Sequence, residues 1–148
     1  MIEYLHTTTS GSTLLPAAPL DQLRVRQLSH AIAMDVHPIC NLSVVRHVAE
    51  LAGGGEATKD AWMSHFISRG LAAYEAMLEE FDDPGPFSHG SAPSMADCCL
   101  IPQLYNADRY RIDYAQHRRI CRVANAAAEL PAFKAAVPEK APSVEATH

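Results

Sequence analysis

SMADCCLIPQLYNADRY, residues 94–110, holds two kinds of sequence in one stretch. A hydroxyl and a carboxylate three residues apart, Ser94 and Asp97, precede an apolar helical pattern that ends in Asn106 and Arg109. In Ser-x-x-Asp the serine oxygen can accept from the amide of residue 97, while the carboxylate reaches back to the amide of residue 94. This is a capping box with Asp in place of the commoner Glu, and its charge sits at the positive end of the helix dipole. The box accounts for both side chains, so Ser94 and Asp97 read as the structural start of a core helix rather than as an acid–base pair. Arg109, at the far end, has two readings. It can lie on the last carbonyls of its own helix, or it can hold a ligand. Asn106 likewise reads as a C-terminal cap or as a donor to a ligand.

Working outward, helical periodicity dominates and strand-like alternation is nearly absent. A short helix, IEYL, opens the chain, followed by a loop rich in small and turn-forming residues. A helix then starts near Pro19 with Leu20, Leu23, Leu28, Ile32, Val36 and Ile39 as its expected buried stripe. Pro38 should kink or break it, and the pattern resumes at Leu42. The next helix is expected from an N-cap at Thr58, with Trp62, Phe66, Gly70, Leu71, Tyr74, Leu78 and Phe81 on one face. After the stretch at 94–110, a helix is expected over residues 114–129, then a short one begun by Pro131. The fold class expected is all-α, a helical bundle with one core over residues 11–136. Residues 137–148 lack an apolar period and read as a mobile tail.

The chain has 148 residues, net charge −5 and no basic patch, which argues against nucleic acid as a partner. A small anionic substrate is still compatible, because it needs only a few local cations. No uninterrupted apolar window of spanning length and no signal-peptide pattern occur. The four cysteines, Cys40, Cys98, Cys99 and Cys121, form no CxxC pair and read as reduced thiols of a cytoplasmic protein.

A second polar patch is DVHPICN, residues 35–41. Pro38 removes an amide and frees a carbonyl, and His37, Cys40 and Asn41 lie within a turn of it. His37 and Cys40 alone do not make a zinc site, so no metal is expected. The plain alternative is a kinked helix with His37 hydrogen-bonded in the interior. No nucleophile-elbow or P-loop pattern is present.

Beyond spacing, the chain resembles the C-terminal helical domain of zeta-class glutathione transferases, the maleylacetoacetate and maleylpyruvate isomerases. The resemblance lies in IEYL, LLPAAPLDQLRVRQL, DVHPICNLSVVRHV, WMSHFISRGLAAYE, GPFSHGSAPSMADCCLIPQLYNADRY and LPAFKAAVP, nearly the whole chain. SMAD alone points to the wider superfamily. HPICNLSV and the full stretch at 94–110 followed by ID are more specific to the zeta class.

The resemblance implies a fold and a chemistry. Family members carry a thioredoxin-like domain ahead of this region, with the serine- and cysteine-containing loop that holds the glutathione sulfur. That domain is absent from this sequence. Residues 1–10 look like its end, so the chain reads as truncated relative to a longer family member. The implied activity is glutathione-dependent cis–trans isomerisation of a maleyl dicarboxylate in aromatic catabolism, with no catalytic residue in this chain and no activity alone. Arg109, His37 and Asn41 are the implied substrate-binding residues. Cys40 stands where relatives often have Asn or Gln touching glutathione, and a thiol replaces an amide donor poorly. Ser43 replaces an arginine of some maleylpyruvate isomerases. The face that meets the missing domain should be apolar, so a homodimer is expected. The alternative is a non-catalytic helical module for binding or assembly.

Overall fold

The computed structural model describes residues 1–138, and from residue 139 on the expected tail lies outside them. Among the described residues every regular element is helical. They are α1 (Ile2–Thr8), α2 (Pro19–His30), a π-helical segment (Ala31–Val36), α3 (His37–Ile39), α4 (Leu42–Ala52), α5 (Gly55–Phe81), α6 (Met95–Arg109), α7 (Arg118–Glu129) and α8 (Pro131–Ala135). The core lies where α2, the π segment, α5, α6 and α7 converge, around Leu28, Ile32, Ile67, Leu71, Leu100 and Ile120.

The start of α6 is closed by its capping box. Ser94 N donates to Asp97 Oδ2 at 2.7 Å, and the Ala96 amide donates to Ser94 Oγ at 3.3 Å. Asp97 does more than cap. Its second oxygen accepts from Ser88 N at 2.8 Å, and the Ser88 hydroxyl receives Tyr74 OH at 2.8 Å. The carboxylate is 0% exposed, so three donors, the Ser94 and Ser88 amides and Ser94 Oγ, offset its burial. The box therefore also pins the loop before α6 to α5.

Pro38 does break the helix, in two stages. Its ring crowds the carbonyl four residues back and it brings no N–H. The chain accommodates this by widening into the π segment, in which His37 N–H bonds back to Ile32 O. It then ends at Cys40, and Asn41 caps α4 by accepting from Ser43 N at 2.9 Å. The Ile39 carbonyl left by the break receives the Trp62 indole N–H at 3.0 Å. Gly70 of α5 lies against the π segment so closely that a Cβ there would meet Val36 Cγ2 at 2.2 Å.

Several expected boundaries and faces shift. Leu20 and Leu23 are 58% and 51% exposed, whereas Val25, Leu28, Ser29, Ile32 and Val36 are buried. Leu23 lies two residues, over half a turn, from Val25 and so on the opposite face. On α5 the buried line is Met63, Ile67, Leu71, Tyr74 and Leu78, while Trp62, Phe66 and Phe81 flank it. Thr58 is not an N-cap. Gly53, in left-handed conformation (φ 64°), ends α4 so abruptly that α5 begins at Gly55. Residues 114–117 precede α7 instead of opening it, because Asp113 Oδ1 takes the Ala115 amide at 2.9 Å in a turn that competes with helix.

Candidate functional site

α2 and α6 pack side by side, with Ser29 against Cys99 and His37 against Gln103. Both pairs advance in the same chain direction, so the α3–α4 break and the C-terminal end of α6 lie at one end of the bundle. The polar residues of interest come from these two places.

Arg109 stands in the last turn of α6, exposed, and makes no salt bridge among the described residues. The helix end is closed instead by the Tyr110 amide, which bonds Asn106 O and Ala107 O. Asn106 is thus inside the helix and is not its cap. An unpaired guanidinium at a helix end is available to an anion, and its planar fork suits a carboxylate.

His37 is exposed, not interior as its sequence context allows. Its pKa is nonetheless lowered from the usual histidine value by desolvation, which outweighs a hydrogen-bonding influence of the Gln103 side chain that acts in the opposite direction. The exposed position limits that push. Asn41 spends its side-chain oxygen on the α4 cap, accepting from both Ser43 N and Ser43 Oγ at 2.9 and 2.8 Å. Its NH₂ remains the part that can serve a ligand. Cys40 turns into the core at 7% exposure, and burial pushes its thiol up to about 11. At neutral pH it is a neutral, enclosed thiol and offers a ligand little.

No hydrogen bond or ion pair joins Arg109, His37 and Asn41 to one another. Gln103 and Arg109 are six residues apart, about 9 Å along the axis of α6. A ligand spanning His37 and Arg109 would therefore carry its polar groups at separated ends.

Between α6, α7 and α8 opens an apolar cleft of about 560 Å³, lined by Ile101, Pro102, Tyr105, Tyr114, Ala127 and Phe133 and not by Arg109. Asp108 stands at its rim close to Tyr114, whose phenol is held protonated chiefly by burial and then by that carboxylate. Nothing in the spacing at 94–110 foretold this cleft, because its walls come from three helices. Among the described residues no group of three or more His, Cys, Asp or Glu could hold a metal, the four cysteines are free, and no helix is long and apolar enough to cross a membrane.

This all-helical bundle, with a buried capping box starting its central helix, defines a class. Residues 60–137 match the family of glutathione S-transferase C-terminal domains, and the chain belongs to it. Among individual relatives it is 49% identical to maleylacetoacetate isomerase of Rhizobium meliloti, over 95% of this chain and 66% of that protein. It is 37% identical to maleylpyruvate isomerase of a Ralstonia species, over 96% of this chain and 67% of that protein. Among solved structures, maleylacetoacetate isomerase of Anaeromyxobacter dehalogenans, with glutathione bound in its active site, superimposes with TM-score 0.88 at 38% identity. That match covers 95% of this chain and 63% of the other. The chain thus spans about two thirds of the length of the relatives it matches.

Proposed function

We propose that this chain is the helical part of a glutathione-dependent cis–trans isomerase acting on maleylacetoacetate or maleylpyruvate in aromatic catabolism. The observation that carries the reading is the 49% identity to a maleylacetoacetate isomerase, sustained across 95% of the chain. Arg109, exposed in the last turn of α6 and without a salt bridge among the described residues, supports it. In that reaction the glutathione thiolate adds to the cis double bond, the resulting single bond rotates, and elimination of the thiolate leaves the trans isomer. The helical wall supplies charge and shape. Arg109 holds a carboxylate and offsets the enolate charge that develops on addition. His37 and the Asn41 NH₂ face the substrate from the α3–α4 break. The thiol-activating loop belongs to a thioredoxin-like unit, to which residues 1–10 form the end, and residues 11–136 are the helical domain. Four free cysteines suit a reducing compartment, and we place the protein in the cytoplasm. Exposed Leu20, Leu23, Leu42 and Leu51 offer apolar surface for a homodimer.

The test is a pair of assays with maleylacetoacetate and glutathione. One uses the 148-residue chain alone, the other the same chain fused behind the N-terminal third of the Rhizobium meliloti enzyme. Turnover by the fusion and none by the chain alone is the expected result. A folded fusion without turnover would overturn the isomerase reading, and turnover by the chain alone would overturn the division of labour. One observation favours the non-catalytic alternative: Cys40 is enclosed in the core and presents no amide donor. A folded fusion with no measurable glutathione affinity would decide for that module.

A further inference from the structure

Gln103 sits midway along α6 at 1% exposure, and neither its amide nitrogen nor its amide oxygen has a hydrogen-bond partner. Buried polar side chains are bonded in the large majority of cases, so two open positions on one amide call for an explanation. The neighbour that can supply a partner is the His37 ring, which lies against Gln103 from α3. His37 is held there by the π segment and by the break after Pro38. One edge of the ring thus faces a buried amide, and the rest is exposed at the end of the bundle that carries Asn41 and Arg109.

We infer that Gln103 is a positioning residue for His37: a small rotation of the ring lets Gln103 Oε1 accept from the inner ring N–H, fixing the tautomer and turning the other nitrogen, with its lone pair, outward. A neutral imidazole with one N–H engaged inward presents only an acceptor outward. The ligand group it fits is an O–H donor, not a carboxylate. Resting on the isomerase reading, the ligand class is an enolised 1,3-dicarbonyl, which both maleyl compounds carry next to the double bond. His37 then receives the enol while Arg109, about 9 Å further along the α6 axis than Gln103, takes a carboxylate. The two ends of the substrate are told apart by acceptor and cation.

The experiment reads the His37 ring nitrogens by ¹⁵N NMR in the 148-residue chain, at a pH where the ring is neutral. One tautomer should prevail in the wild type beyond its proportion in a free imidazole, by roughly fivefold for a hydrogen bond of ordinary net strength. Gln103→Leu and Gln103→Met should both relax the ratio to that of a free imidazole. Both variants replace a buried amide with an apolar side chain of similar length, so both should fold. Gln103→Glu, whose carboxylate only accepts when ionised, should restore the bias at a pH where it is charged. An equal tautomer ratio in wild type and both apolar variants would overturn the inference, and a buried water serving Gln103 alone would give that result. Acetylacetone, a simple enolisable 1,3-diketone, should shift the outer nitrogen in the wild type. A fixed tautomer that ignores acetylacetone would overturn the ligand class. An inactive fusion is a separate failure, of the isomerase reading, and leaves the tautomer readout where it was.

Discussion

Two helices of this bundle start on a carboxylate, and the carboxylates come from very different distances. At α6 the acceptor is Asp97, three residues from the amide it caps. At α7 it is Glu75 of α5, whose two oxygens take the Arg119 and Ile120 amides at 2.8 and 2.9 Å from 44 and 45 residues away. His117, the N-cap of α7, makes no side-chain cap bond of its own. Orphan amides at a helix start must find acceptors, and the dipole favours negative ones. A local box meets that need as the helix forms. A distant carboxylate meets it only when two helices dock. The first cap is therefore part of a helix and the second part of the tertiary structure.

The largest effect is expected at the buried cap of α6. Asp97→Ala removes the acceptor of three donors, including the amide that holds the loop at Ser88, and should cost about 3 kcal/mol in urea unfolding. A loss under about 1 kcal/mol would mean that water replaces the carboxylate and that the box is not a core element. Glu75→Ala should cost about 2 kcal/mol and should selectively speed hydrogen exchange at the first amides of α7. If α6 and α7 amides respond equally, the long-range cap is not specific to α7. Ser94→Ala keeps Asp97 and loses only the hydroxyl, so about 1 kcal/mol is expected from the same unfolding measurement. The smallest stability effect belongs to Arg109. Because Arg109 is exposed and makes no salt bridge among the described residues, Arg109→Ala should move stability by less than about 0.5 kcal/mol. The same change should lower kcat/KM of the fused enzyme by on the order of a hundredfold. A stability loss like that of Ser94→Ala would place Arg109 among the structural residues.

The same distinction explains what could be read from the sequence. The box at Ser94 and Asp97, the break at Pro38 and the short helix begun at Pro131 are all encoded within a turn of themselves. Glu75 was not legible, because nothing near it marks a carboxylate destined for another helix's amides. Trp62 read as part of an apolar stripe, while its indole serves the Ile39 carbonyl across a gap of 23 residues. Leu20 and Leu23 show a related limit: periodicity identifies apolar positions, but the partner helices decide which face is inside. At the site, spacing left Arg109 with two readings, and family resemblance, not geometry, gave His37 its proposed role. Asn41 was legible as polar, but its oxygen's use as a cap depends on where the chain restarts after Pro38. Gln103 carried no signal at all, since an isolated glutamine in an apolar run says nothing about whether its amide finds a partner.

Gly70 has a mechanical role in the bundle. The hydrogen it carries in place of a methyl sets how near α5 can come to the π segment at Val36. Eight residues earlier, two turns along the same rod, Trp62 grips Ile39 just past the proline break. Within the packing of α5 on the bent helix, Gly70 marks a point of close approach, a pivot, and Trp62 a hydrogen-bonded clamp. Thickening the pivot by a single carbon would lever the clamp outward and change the angle at which His37 is presented. A glycine on α5 thus acts as the fulcrum for the corner that carries His37 and Asn41.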